Sequence, residues 1–181
     1  IWLGNNVKSK LINKCIRSWQ KYFPEWEIKE WNEGNLNLDI CSYCRQAYDA
    51  KKYAFASDVL RFDILNKYGG LYLDVDVEIL KSFEDLCEQY QSFAGFEDKK
   101  ISPGLVLYSK EPNNNLFKKM LERYKQRNFI KDNGEYDLYT VVSQFTDILK
   151  DEGFVMDNTL QTISGFTVLS ITKPSSFKIS V

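Results

Sequence analysis

Leu71-Tyr72-Leu73-Asp74-Val75-Asp76 is the stretch on which the fold turns. Three apolar residues make a short strand, and two aspartates follow at its carboxyl end, where open α/β sheets bind their ligands. On extended backbone side chains alternate with period two, so Asp74 and Asp76 face the same side. Carboxylates that close repel each other unless a cation compensates. Mg2+ and Mn2+ do so, joining one or two carboxylates to substrate phosphates. An Asp-x-Asp alone equally describes a solvated acidic turn, and the apolar run directly before it is what argues for a built site.

Immediately upstream, Gly69-Gly70 ends a helical pattern whose apolar residues are Val59, Leu60, Phe62, Ile64 and Leu65. Ser57 reads as its cap and Gly69 as its terminating residue with positive φ. Asp58 and Arg61 lie three apart on one face of this helix, a spacing that serves an ordinary ion pair. Because the chain reverses through Gly69-Gly70 into the aspartate-bearing strand, the same two groups can also reach its pocket. There the planar fork of Arg61 suits a diphosphate and Asp58 can accept from sugar hydroxyls.

Further out, Ile1-Trp2-Leu3 reads as a strand end, Ser9 to Tyr22 as an amphipathic helix stopped by Pro24, and Glu27 to Trp31 as a short strand. Ile40 to Lys67 holds two helical stretches. Gln91 to Phe96 and Gly104 to Tyr108 are strand patterns, Leu116 to Tyr124 and Val141 to Leu149 are helices, and Thr159 to Val181 reads as strand with loop. Strands alternating with helices predict an α/β domain. No repeat or linker divides the 181 residues, so residues 1–181 are expected to form one domain. A start at Ile1 without a Met is read as a trimmed N-terminus, and the C-terminus is open to the same reading.

Lys plus Arg number 24 against 25 for Asp plus Glu, a balance that supplies no general attraction to nucleic acid. The chain has no histidine, which excludes Ser-His-Asp and Cys-His hydrolysis and histidine-ligated metalloprotease sites. Chemistry must then run on carboxylates, hydroxyls, amines or a bound cation. Cys41 and Cys44 form a Cys-x-x-Cys pair, but a zinc site would need Cys15 and Cys87 to converge on it, so reduced thiols are expected. No stretch approaches the ~18 apolar residues of a membrane span.

The ordered pattern Tyr53-Ala54-Phe55-Ala56-Ser57-Asp58-Val59-Leu60-Arg61, then Leu65 and Gly69-Gly70-Leu71-Tyr72-Leu73-Asp74-Val75-Asp76, resembles the sugar-binding region of glycosyltransferase family 32. That family includes capsular polysaccharide enzymes and yeast-type mannosyltransferases. The pattern is also similar to the glucosyltransferase domain of large bacterial cytotoxins. Ile1-Trp2-Leu3-Gly4, Glu30-Trp31-Asn32 and Gly95-Phe96-Glu97 extend the resemblance over most of residues 1–125. It implies a GT-A type, Rossmann-like nucleotide-sugar-binding fold, in which a mixed, mainly parallel central sheet is flanked by helices, with Mn2+ or Mg2+ bridging a donor diphosphate. It further implies that Asp76 and Asp74 are the metal and catalytic carboxylates, with Asp74 also near ribose or sugar. Asp58 would hold sugar hydroxyls, Arg61 the sugar or diphosphate, and Trp2 would stack on the base, with Asn32 near the nucleotide.

The implied reaction moves a hexose with retention from a nucleoside diphosphate sugar, UDP-hexose first and GDP-mannose second, to a saccharide or lipid-linked saccharide acceptor. Capsular or surface polysaccharide synthesis in the cytoplasm, at the inner face of the membrane, follows as the setting. Glu97 and Asp98 are candidates for the acceptor side. The chain departs from the family at Ser170 to Phe177, which has neither histidine nor tryptophan where members commonly carry an aromatic, His-containing segment that closes over the donor, so either the chain stops before it or the lid differs. Two rivals remain. One is a haloacid-dehalogenase-like phosphatase with Asp74 as nucleophile and Asp76 as acid/base, which lacks here its usual later acidic pair. The other is a non-catalytic nucleotide-sugar-binding module.

Overall fold

The computed structural model describes residues 1–97, 100–157, 159–169 and 178–180. Helix α1 (Lys10–Tyr22) starts at Ser9, whose hydroxyl accepts the Ile12 N–H at 3.3 Å. It is followed by α2 (Ser42–Asp49) and α3 (Tyr53–Tyr68), and α3 leads directly into β1 (Gly70–Tyr72). Then come β2 (Glu78–Lys81), α4 (Glu84–Gln89), β3 (Ser92–Glu97), β4 (Lys100–Ser109), α5 (Asn115–Lys125), α6 (Val141–Asp151), β5 (Gln161–Ile163), β6 (Phe166–Leu169) and β7 (Lys178–Ser180). No described helix is long and apolar enough to cross a membrane.

The central sheet has the order β1-β4-β3-β6-β5, and β2 pairs with β7 separately. The mixed α/β class is as expected, but the expected mainly parallel sense is corrected. Among the described strands of this sheet only β3 and β6 run parallel, while β1–β4, β3–β4 and β5–β6 are antiparallel. The reason is connectivity. A very short link joins β3 to β4 and forces a hairpin, whereas only the longer path through α5 and α6 returns a strand in the parallel sense. The segments expected as strands at residues 1–3 and 27–31 carry no ladder. A single backbone bond joins them, from Trp2 N–H to Trp31 O at 2.7 Å.

Period-two alternation sends side chains to both faces of the sheet. Ala94, Phe96, Ile101, Leu107, Phe166 and Val168 pack beneath α3, α5 and α6, where Phe62 meets Phe117 and Phe145 at ring-centroid distances of 5.4 and 5.3 Å. Phe93, Val106, Tyr108 and Leu169 face the other way, onto Phe23, Ile79, Phe83 and Leu86. Each such buried ring or branched chain contributes about 1.5–3 kcal/mol.

Helix α3 begins four residues before Ser57, so Ser57 is interior and not the expected cap. Apolar Tyr53, Phe55 and Ala56 all pack against the core, and burial sets the boundary where local capping signals suggested another. Gly69 does end the helix at φ 68°, and the Asn114 side chain caps α5. All four cysteines are free.

Candidate functional site

Helix α3 places Asp58 and Arg61 one turn apart, and β1 returns to them through Gly69-Gly70. Arg61, with 4% of its side chain exposed, donates from Nη2 to Asp58 Oδ1 at 2.7 Å and lies 3.2 Å from Asp74 Oδ1. Its Nε donates to Ser57 O at 3.3 Å, and the guanidinium carbon stands 4.8 Å from the centroid of the Tyr72 ring. The Tyr72 hydroxyl completes the knot by donating to Asp74 Oδ1 at 2.7 Å. Three elements of sequence, the helix face, the Gly-Gly reversal and the apolar strand, thus converge on one guanidinium.

Asp74 and Asp76 do not share a strand face as expected, because β1 stops at Tyr72 and the pair sits on a turn. That turn is closed by the Val77 N–H donating to Asp74 O at 3.0 Å, and anchored by the Asp74 N–H donating to Gly104 O at 2.8 Å. Asp76 is exposed and makes no hydrogen bond or ion pair with the described residues. Asp74 Oδ2 and Asp58 Oδ2 likewise accept no hydrogen bond from them.

Burial pushes the Asp58 carboxyl up from 3.8 to about 6, against the lowering effect of Arg61. Burial also disfavours the Arg61 charge, but Tyr72, Asp58 and Asp74 more than offset it and its pKa is raised. Desolvation raises the Tyr72 phenol well above its usual range, so it stays a donor. Two carboxylates, Asp58 and Asp74, share the one guanidinium of Arg61 and Asp76 stands two residues further along the turn, a set of oxygens that a divalent cation with phosphate and water as its other ligands would suit. No group of three or more His, Cys, Asp or Glu side chains converges among the described residues.

Trp2 and Asn32 lie apart from this knot. Trp2 lines a groove of about 470 Å3 along the flank of β1 with Lys8, Trp31, Tyr68, Leu71 and Leu73. Its indole N–H donates to Asn6 O at 2.8 Å, and Lys8 Nζ stands 5.3 Å from its ring centroid. Tyr72 lines the same groove and is the link between it and the carboxylates. Asn32 is engaged in its own turn, its Oδ1 accepting the Gly34 N–H at 2.9 Å. Asp98, Ser170 to Phe177 and the side chain of Glu97 lie outside the described residues. Sequence reasoning assigned no role to Tyr72 or Gly104. A Pro-Gly step inside a strand pattern was the available signal for the second.

Residues 9–93 match the family described as the glycosyltransferase sugar-binding region containing a DXD motif. Inositol phosphoceramide mannosyltransferase 3 from Schizosaccharomyces pombe is 29% identical over 89 residues, which are 47% of this chain and 25% of that protein. The solved structure of the PaToxG glycosyltransferase superposes with a TM-score of 0.60 at 20% identity, covering 84% of this chain and 66% of that one. The chain therefore spans about a quarter of the mannosyltransferase and two thirds of the solved domain. Residues 9–93 are thus similar to a DXD-containing glycosyltransferase sugar-binding region, and the chain shares its fold with a solved glycosyltransferase.

Proposed function

We propose that this chain transfers a hexose from a nucleoside diphosphate sugar to a saccharide or lipid-linked saccharide acceptor, assisted by Mn2+ or Mg2+. The observation that carries the reading is the Asp58–Arg61–Asp74 knot beside an unpartnered Asp76. Arg61 is fixed by three neighbours and presents a preorganised positive charge to the donor, which costs no reorganisation as negative charge builds on the departing diphosphate. Asp58 Oδ2 is free to accept from sugar hydroxyls. Asp76 and Asp74 Oδ2 are the carboxylate oxygens that would hold the cation, which would stabilise the leaving diphosphate when bound. Trp2 is assigned to the base and Asn32 to the nucleotide edge.

With no histidine in the chain, a front-face displacement fits. The acceptor hydroxyl attacks the anomeric carbon, the bond to the diphosphate oxygen breaks, and that oxygen takes the acceptor proton, so the configuration is retained. UDP-hexoses are the first donors to try. GDP-mannose stands beside them because the yeast relative is named a mannosyltransferase. A role in surface polysaccharide synthesis at the inner membrane face belongs to the same proposal through its lipid-linked acceptor.

Calorimetry with UDP-glucose, UDP-galactose and GDP-mannose, each in Mn2+ and in EDTA, tests the reading beside Asp76→Ala. Binding that needs the metal and disappears in the variant is expected. Absence of binding to any donor, with p-nitrophenyl phosphate hydrolysed in Mg2+, would replace the transferase by the phosphatase alternative. Tight donor binding with no transfer or donor hydrolysis would leave the non-catalytic module.

A further inference from the structure

The β3–β4 hairpin is irregular beside the knot. Ala94 pairs with Leu107 and the next residue, Gly95, with Ser102, so Pro103 to Val106 bulge out of the ladder. Bulges re-aim backbone and are common next to functional sites. This one carries Gly104 to the end of β1, where Gly104 O accepts the Asp74 N–H at 2.8 Å. Proline at 103 suits the bulge because no ladder bond is asked of its nitrogen there.

Gly104 is buried, and its φ is not among the positive ones, so backbone conformation does not demand a glycine. Space does. A Cβ at 104 would stand 2.0 Å from Asp74 Oδ2, 3.0 Å from Asp74 Cγ and 2.8 Å from Arg61 Nη1. Arg61 Nη1 is itself buried without a hydrogen-bond partner, so two polar groups of the knot face the one position that offers no side chain.

We infer that Gly104 is a positioning residue of the donor site: the volume its side chain would fill is the seat of the Asp74 carboxylate and of the inner edge of Arg61. Its carbonyl fixes the backbone of Asp74 while its bare Cα admits the side chain, so a single residue sets both ends of that aspartate. The consequence for transfer rests on the donor-site reading above; the packing claim does not.

Gly104→Ala tests it. The obstructing atoms are side-chain tips, which can swing aside, so the variant is expected to fold with a native circular-dichroism spectrum while Asp74 is displaced by about the width of a methyl group. Donor affinity should then fall on the order of a hundredfold, the cost of an ångström-scale misplacement in a preorganised site. The readout that a glycine unrelated to Asp74 would not move is a cycle with Asp74→Ala: Gly104→Ala should lower Tm in the native background and lower it clearly less when Asp74 is absent, the contact with Arg61 Nη1 alone remaining. Additive Tm changes, or native donor affinity in Gly104→Ala, would overturn the inference. Should Gly104→Ala not fold, recovery of folding in the double variant supports it and continued failure overturns it. Should the native chain bind no donor at all, the donor-site reading fails, and the Tm cycle still decides whether Gly104 seats Asp74.

Discussion

Asp74 and Asp76 stand two residues apart on one turn, yet their surroundings differ. Asp74 is held on several sides: Arg61, Tyr72 and the Gly104 carbonyl engage it by side chain and by backbone. Asp76 projects from the tip of the same turn with no described partner. The difference separates two kinds of carboxylate. One is part of the scaffold, so its removal is felt by the fold. The other is spare in the folded protein, so its removal is felt only by a ligand.

Arg61→Ala breaks this comparison most severely. It strands the buried carboxyl of Asp58 without its cation and is expected to cost about 3–5 kcal/mol, the usual penalty for removing one partner of a buried ion pair. Urea unfolding measures it, and a loss within the range of an ordinary surface substitution would show that the knot is not structural.

A smaller effect concerns Asp58 alone. Its folded-state pKa of about 6 lies above the ordinary 3.8, so the native state binds the proton more tightly. The contribution of Asp58 to stability is then fully present below 3.8 and is lost as pH rises through about 6. The unfolding free energy of the native chain relative to Asp58→Asn should decline across that window and level off above it. A flat difference would mean that folding leaves the Asp58 pKa unshifted. Donor binding should run the opposite way and strengthen as Asp58 ionises.

The smallest effect on stability sharpens the comparison. Asp76→Ala should change the unfolding free energy by no more than about 0.5 kcal/mol, as for an exposed residue without partners. It should also abolish the rise in Tm that Mn2+ with a donor is expected to give the native chain through ligand linkage. A large loss of stability without ligand would place Asp76 in the scaffold after all.

Much of this region was legible beforehand because it is local. Helix α3 shows its periodicity, Gly69-Gly70 announces the reversal, and Leu71-Tyr72-Leu73 reads as a strand delivering aspartates. Helices α1, α5 and α6 stand within a few residues of their periodic patterns. Strand sense was not legible. Whether two strands run parallel depends on how long a path joins them and which edge receives the second, and the patterns of residues 1–3 and 27–31 suggested strands that form no ladder. The start of α3 was misplaced because Ser57 carries a capping signal that burial of the preceding turn overrides.

The sequence by itself determined which groups are available: an Asp and Arg on one helix face, two aspartates after an apolar strand, and no histidine to compete with them. Side-chain identity and short-range spacing suffice for that, since helix and strand periods are fixed by backbone geometry. Only the tertiary structure decided that Asp74 is held and Asp76 is free, that Tyr72 lies beneath Arg61, and that Gly104, thirty residues downstream of Asp74, leaves the space they need. Those are contacts between elements, set by where a bulge in β4 meets the end of β1, and no local pattern encodes the meeting.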